Sequence, residues 1–216
     1  MGGSAPGSNG SLEVASDEVI DIFSAAGLKK PDILILSDEF LQEISRMPQR
    51  NLAVELLRKL LSDEIKAGSR KNVVQSRSFS EMLERTIRTY QNHAIEAAQV
   101  IEELIGLAKD MRQAAARGEN LGLSDDELAF YDALGVIDSA VQVLGDENLK
   151  LIARELVDTV HQNVTIDWTV KESVRAKLRV MVKRVLKRYG YPPDLQEKAI
   201  QTVLEQAEVI ARDWAQ

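Results

Sequence analysis

The sequence predicts an all-α protein. It would be an irregular bundle of about eight helices around one long helix, and one short strand is left open. Apolar residues recur at helical spacing through most of the chain. The stretch from Ser78 to Gly118 has no proline, one interior glycine at Gly106 and many strong helix formers. Aromatic residues make up only 5% of the chain, which suits packing through Leu, Ile, Val and Ala.

The stretch 78–118 is predicted to form one continuous helix. Ser78 or Ser80 could cap its start, and Gly118 could close its end. At about 1.5 Å per residue it would be roughly 60 Å long, far beyond the radius of gyration of a compact domain, about 16–17 Å. We therefore expect it to protrude, to kink near Gly106, or to act as a spine for the other helices.

The segment before this stretch is predicted to contain three shorter helices. Ser16-Asp17-Glu18 caps the first, which ends at Gly27, and Ser37-Asp38-Glu39 opens the second, which ends before Met47-Pro48. The third covers about residues 49–67 with Gly68 as its stop. Between the first two, residues 32–36 could form a short strand, although so short an apolar run is ambiguous.

Four further helices and one shorter piece are predicted after the long stretch. Ser124 to Glu127 forms a capping box for one helix, and Gly135 and Gly145 bound a shorter piece. Asp146 starts a helix that continues to about residue 162 and is followed by a connector with some strand character. The next helix spans 169–189 and stops at Gly190. A turn then places proline at the first position of the last helix.

The composition excludes several classes of function. Because the chain has no cysteine, it has no disulfide, no thiol catalysis and no thiolate metal site, which fits a cytoplasmic protein. Its net charge of -7 does not suggest nucleic-acid binding. The longest aliphatic run, Ile33 to Leu36, is far too short for a bilayer. We expect no membrane contact and no small-molecule substrate.

Two patterns resemble catalytic motifs, and the chain has two histidines, but a structural role is the better explanation for each of them. Residues 33–39 resemble the strand and acidic pair of nucleotide hydrolases, but the phosphate loop is missing, so a helix N-cap at Ser37 is favoured. Pro31-Asp32 with Glu64-Ile65-Lys66 resembles a metal nuclease, yet Glu64 and Lys66 fall on a leucine-rich helix. His93, predicted mid-helix, and His161 lack partners for a metal site. No catalytic, metal or cofactor-binding residue is predicted.

One charged pattern remains as a candidate site. Between Lys171 and Arg188 the chain has eight basic residues and one acid, Glu172. On a helical wheel the apolar residues share one face and most of the basic residues share the opposite face. The basic stripe consists of Lys177, Arg179, Lys183, Arg184, Lys187 and Arg188.

Three interpretations of this stripe stay open. It could be a solvated face balanced by Glu197, Glu205 and Glu208 of the last helix, a docking site for an acidic protein surface, or a phosphate-binding surface for nucleic acid. No aromatic residues interleave the basic ones, so stacking on single-stranded nucleic acid is disfavoured. Contact with a duplex backbone would depend steeply on salt.

Several segments resemble a known family. They are Arg70 to Gln75 with Phe79 to Leu83, Leu121 to Ser124 with Glu127 to Tyr131, Asn163 to Trp168, Glu172 to Arg179, Tyr189 to Pro193 and Gln201 to Ala207. Together they resemble the C-terminal helical region of the restriction (HsdR) subunit of type I restriction–modification enzymes. The resemblance extends from about Ser16 to Trp214.

The resemblance implies a role in assembly. In this family the full subunit carries a nuclease domain and two motor domains that hydrolyse ATP with Mg and pull DNA, all upstream of the helical tail. The tail is implied to attach the subunit to the methyltransferase (modification) subunit, with the specificity subunit and the duplex DNA backbone as further candidate partners. The parent would be a site-specific deoxyribonuclease and ATP-dependent translocase in the bacterial or archaeal cytoplasm.

We therefore expect a non-catalytic helical assembly domain without a cofactor of its own. Residues 1–11, rich in Gly and Ser, are predicted to be a flexible leader or a cloning remnant. Residues 12–67 would hold N-terminal helices that connect from the upstream motor domains, and 68–216 would form the assembly domain. The alternative is a helical domain that binds duplex DNA directly behind the motor.

Overall fold

The computed structural model describes residues 37–135, 138–163 and 172–214, without the side chains of 138–140, 213 and 214. Over these residues the chain forms nine α-helices and no strand, which confirms the all-α fold class. The helices are α1 (Asp38–Ser45), α2 (Arg50–Gly68), α3 (Val73–Gln91), α4 (Ala97–Leu121), α5 (Asp125–Gly135), α6 (Asp138–Leu144), α7 (Asp146–Asn163), α8 (Glu172–Arg188) and α9 (Gln196–Trp214). The helix predicted at 16–27, the strand at 32–36 and the strand character at 164–166 lie outside the described residues.

The predicted N-caps at the starts of α1 and α5 are confirmed. The Ser37 hydroxyl accepts a hydrogen bond of 3.3 Å from the Phe40 backbone N–H. At α5 the Glu127 carboxylate accepts a 2.8 Å bond from the backbone N–H of Ser124, while the Ser124 hydroxyl accepts one of 3.3 Å from Glu127. This reciprocal pair is a capping box, as the local sequence predicts.

The prediction of one long helix over 78–118 is wrong, because the chain breaks between α3 and α4. His93 adopts a φ of 55°, the only positive φ of a non-glycine residue in the described part of the chain. The His93 N–H donates to the Tyr90 carbonyl (2.9 Å), and the Ala94 N–H donates to the Thr89 carbonyl (3.1 Å). These two bonds form a Schellman motif, which normally places glycine where His93 lies.

The structure also places the ends of the two helices in this stretch at residues other than those predicted. Ser78 and Ser80 lie inside α3, whose N-cap is Asn72: its side-chain oxygen accepts a 3.0 Å bond from the Gln75 N–H. Gly118 lies inside α4, and the helix ends before Gly122, with a φ of 65°. Gly106 lies inside α4, and the helical hydrogen bonding of the predicted stretch is interrupted at His93 instead.

The described chain divides into two compact units, and the first shows why the helix breaks. This unit comprises the described residues up to Ser62 together with Leu83–Lys109. Within it the Thr86 hydroxyl donates to the Glu103 carboxylate (3.1 Å), and Tyr90 donates to Asn51 (2.9 Å). Because the chain turns at His93, apolar residues on both sides of the turn become buried. They include Leu83, Ile87, Val100, Ile101 and Leu104.

The second unit is built around the short helix α5. It comprises Asp63–Met82 and the described residues from Asp110 onward. Helix α5 packs against α7 and α9, and α8 packs against the same two helices. Most of α5 is buried, including the side chains of Phe130 and Leu134. The centre of this unit is therefore α5, and not the long helix that the sequence predicts.

The start of the last helix also differs from the prediction. Helix α9 begins at Gln196, three residues after Pro193, so proline does not occupy its first position. Instead, the Pro192 carbonyl accepts a 3.1 Å bond from the Leu195 N–H and closes a turn before the helix. As for membranes, the described residues include no helix that combines the length and apolarity needed for a bilayer crossing.

Candidate partner-binding surface

Helix α8 carries the predicted basic stripe and is anchored by its apolar face. Leu178, Val182, Val185 and Leu186 are buried against the neighbouring helices. The helix ends in a Schellman motif, in which Gly190 has a φ of 69° and Tyr191 N–H donates to the Leu186 carbonyl (2.9 Å). Tyr191 and Leu186 are both buried, so this end of α8 is fixed to the core.

The two edges of α8 are joined to its neighbours by ion pairs. Arg175 pairs with Glu208 of α9 at 3.3 Å, and Arg179 pairs with Glu197 of the same helix. On the other edge Arg188 pairs with Glu155 of α7. The arginine side chains are half exposed or more, so each pair contributes little stability, about 0–1 kcal/mol. Arg179 and Arg188 of the predicted stripe thus have carboxylate partners inside the protein.

The remaining four residues of the stripe point away from the core. Lys177, Lys183, Arg184 and Lys187, here called the basic ridge, are all exposed. Within the described part of the chain no carboxylate forms an ion pair with any of them. At about 1.5 Å per residue the ridge extends roughly 15 Å along the helix.

An apolar side chain lies within the basic ridge. Val180 is 57% exposed, although most large aliphatic residues of this unit are buried. Lys177 precedes it by three residues, and Lys183 and Arg184 follow it by three and four, so all three share its helix face. The sequence analysis did not single out Val180, although its place on the polar side of the helical wheel is a usable signal.

The three glutamates proposed to balance the stripe have different partners. Glu197 and Glu208 pair with arginines at the edge of α8, whereas Glu205 pairs with Arg77 of α3 at 3.0 Å. Of these three glutamates only Glu197 pairs with a residue of the stripe, Arg179, and none of the three forms an ion pair with the basic ridge.

A buried polar cluster that the sequence analysis missed lies elsewhere in the same unit. Asp132 of α5, 8% exposed, accepts hydrogen bonds from the Asn72 amide (2.8 Å), the Gln75 amide (3.0 Å) and the Arg117 guanidinium. The position of Asp132 among the apolar residues of α5 is a sequence signal that could have indicated a buried polar cluster. Because donors surround its carboxylate, Asp132 acts as a structural link and is poorly placed to accept a substrate proton.

A cavity of about 320 Å³ adjoins this cluster. Its wall includes Val74, Phe79, Arg117 and Tyr131. Tyr131 donates a hydrogen bond to Asp146, and burial followed by this bond raises the pKa of Tyr131 to about 12. The same bond, followed by one from Lys150, lowers the pKa of Asp146. Both pKa shifts favour the states that these groups already have at neutral pH, a protonated tyrosine and an ionised aspartate.

Those residues of the rejected catalytic motifs that the structure describes lie in α1, α2, α7 and the turn after α3. Glu64 and Lys66 are exposed on α2, and Pro31-Asp32 lies outside the described residues. His93 is exposed in the turn after α3, and not mid-helix as predicted, while His161 lies in the last turn of α7. Among described residues, no group of three or more His, Asp or Glu side chains could hold a metal ion.

Comparison with known proteins identifies the family. Residues 11–213 match the family described as "Type I restriction enzyme HindI endonuclease subunit-like, C-terminal". The type I restriction enzyme HindI endonuclease subunit of Haemophilus influenzae is 41% identical over 200 residues, which are 93% of this chain and 19% of that protein. A relative from Methanocaldococcus jannaschii, also named as a type I restriction enzyme endonuclease subunit, is 34% identical over 181 residues, 83% of this chain and 17% of its own length.

The chain thus spans about a fifth of the length of the curated relatives it matches. No solved structure matches it significantly. Because the family match covers nearly the whole chain, the protein belongs to the C-terminal family of HindI-like type I restriction endonuclease subunits.

Proposed function

We propose that this chain is a non-catalytic assembly region that docks a type I restriction endonuclease subunit onto its methyltransferase core. The observation that carries the proposal is the basic ridge of α8, whose four cations have no carboxylate partner among the described residues of an acidic protein. The family membership supplies the context, because its relatives are named as endonuclease subunits. The partner is the modification subunit, with the specificity subunit as a second contact.

The parent subunit would supply the chemistry. The proposed activity of the whole enzyme is ATP-dependent DNA translocation and cleavage in the cytoplasm, with ATP and Mg bound upstream of this region. The described residues include no cluster that could hold a metal ion. The carboxylate of Asp132, the buried acid among them, already accepts hydrogen bonds from Asn72 and Gln75. The 216-residue chain alone should therefore neither turn over ATP nor nick DNA.

The test is complex formation in solution. The purified chain would be mixed with its cognate methyltransferase core at moderate salt without DNA, then separated on a sizing column with light scattering. A stable complex of the summed mass is expected. Separate peaks would contradict direct docking.

The alternative function is direct binding of duplex DNA. It is favoured by the same four cations, because lysine and arginine side chains contact phosphates. A shift assay with duplex DNA at low and high salt tests it. Tight binding that weakens steeply with salt would support the alternative, and no shift at low salt would remove it.

A further inference from the structure

We propose that the basic ridge binds an acidic protein surface with an apolar side chain at its centre, and that Val180 is the apolar contact on this chain. The inference rests on the proposed function, because the acidic surface would belong to the methyltransferase core. It goes further by naming the chemistry of the partner and the residue that distinguishes a protein from DNA.

Basic side chains surround Val180 on the surface of α8. Lys177, Lys183 and Arg184 are its neighbours on the helix surface, and Lys187 extends the ridge by another turn. An exposed apolar centre within a charged rim is the usual anatomy of a protein–protein interface. The DNA backbone is contacted mainly by charge and by hydrogen bonds to phosphate and sugar, so it offers the 57% exposed Val180 little apolar surface to pack against.

Arginine and lysine are divided between the edges of α8 and its ridge. Arg175, Arg179 and Arg188 pair with glutamates of the neighbouring helices. Three of the four residues left on the ridge are lysines, which act as point charges and lack the rigid fork by which arginine binds a carboxylate or a phosphate bidentately. The outward charges therefore suit negative groups spread over a surface, and Val180 is the feature that favours a protein over DNA.

Helix α8 is a rigid element. It is held on its apolar side by the core, and its C-terminus is fixed by the Schellman motif at Gly190 and the buried Tyr191. Its ridge is thus presented on a fixed element, and the partner need not pay to order the backbone. This arrangement suits a preformed surface on the partner with carboxylates spaced over about 15 Å, the length of the ridge.

The experiment measures two affinities for each variant. The labelled chain would be titrated with the cognate methyltransferase core and, separately, with duplex DNA, each over a range of salt. The apolar variant is Val180→Ser, with Val143→Ser of α6 as its control, because Val143 is also exposed, at 67%. The charge variant is Lys183→Gln with Lys187→Gln, and its control is Lys66→Gln with Lys109→Gln, which removes two exposed charges elsewhere.

The expected results separate the two contributions. Val180→Ser should weaken binding to the core about tenfold and leave its salt dependence unchanged, because an apolar contact is lost. The double lysine variant should also weaken binding about tenfold and should flatten the salt dependence, because ionic contacts are lost. Both control proteins should bind as the original chain does.

Three outcomes would overturn the inference. If Val180→Ser matches its control while the lysine variant weakens core and DNA binding alike, the ridge contacts phosphate. If the core binds every variant equally, the ridge is not the docking surface, although the proposed function stands. If the unaltered chain does not bind the core at all, the inference and the proposed function both fail.

Discussion

The side chain of Gln206 in α9 accepts a 2.9 Å hydrogen bond from the backbone N–H of Val73, the first residue of α3. The same amide donates a 2.7 Å bond to the backbone carbonyl of Lys71. Gln206 is fully buried, and its one side chain, from a helix far along the chain, satisfies two backbone groups at the start of α3. The N-terminus of α3 is therefore closed from two sides, by Asn72 locally and by Gln206 from α9.

Replacing Gln206→Leu should destabilise the protein by about 1–3 kcal/mol. Leucine has a similar volume but removes the partner of the Val73 N–H and of the Lys71 carbonyl, and an unsatisfied buried group costs about 1–3 kcal/mol. Because Val73 is half-buried and Lys71 is exposed, water can replace part of the lost bonding. Urea unfolding followed by circular dichroism measures the change. The matched control is Gln201→Leu on the exposed side of α9, which should change the free energy of unfolding by less than about 0.5 kcal/mol. Equal effects would mean that the two backbone bonds contribute nothing.

Replacing His93→Gly should stabilise the protein by about 1 kcal/mol. The φ of 55° at His93 brings its Cβ close to the backbone and raises the free energy of the folded state. Glycine has no Cβ and adopts this conformation without that penalty. Thermal unfolding measures the gain. Asn92→Gly, one residue earlier and without a positive φ, is the control and should not stabilise. A loss of stability in His93→Gly would indicate that the imidazole makes a favourable contact.

Two glycine substitutions should change the free energy of unfolding in opposite directions. Gly106→Ala should raise the free energy of unfolding by about 0.5–1 kcal/mol, because Gly106 lies inside α4 and an added Cβ meets no atom within 4 Å. Gly190→Ala should lower it by about 1–2 kcal/mol, because Gly190 has a φ of 69°. Its Cβ would also meet open space, so backbone conformation alone separates the two. Denaturant titrations of both variants test this, and effects of one sign would contradict the assignment.

Replacing Tyr131→Phe should raise the pKa of Asp146 toward its ordinary value. The hydrogen bond from Tyr131 is the largest cause of the lowered pKa. The bond from Lys150 remains in the variant and keeps the smaller part of the shift. A group with a lowered pKa stabilises the fold above its unfolded pKa, and this contribution disappears as the pH falls through the folded pKa. The variant should therefore lose less stability than the original protein when acidified.

Carbon-13 NMR titration of the aspartate carboxylates would measure this shift directly. Tyr90→Phe is the control, because Tyr90 donates to Asn51 in the first unit. The pKa of Asp146 should be unchanged in that variant. An unchanged value in Tyr131→Phe as well would show that the bond from Tyr131 does not stabilise the ionised form.

The sequence predicts those features whose partners lie close along the chain. The capping box of Ser124 and Glu127 and the glycine end at Gly190 each depend on a few neighbouring residues, and both were predicted. The break at His93 was missed because histidine occupies a glycine position and because burial across the turn, with contacts such as Thr86 to Glu103, decides it. Helical propensity alone favours continuing through it.

In the candidate site, too, local features could be predicted and features that depend on distant residues could not. Amphipathic spacing predicts that the cations of α8 face away from the core. Which of them remain without ion pairs depends on carboxylates in other helices, such as Glu155 of α7 and Glu197 of α9. Asp132 was missed for the same reason, because its partner Asn72 is 60 residues away.

The role of Gln206 has a consequence for synthesis on the ribosome. Its bonds to Val73 and Lys71 span 133 and 135 residues, and Tyr191 reaches back to the Leu134 carbonyl with a 2.9 Å bond. The second unit therefore cannot close while α9 is still being made, although its earlier helices can already form. Nascent chains should expose apolar helix faces until translation has passed α9, and chaperones should act on them during that interval.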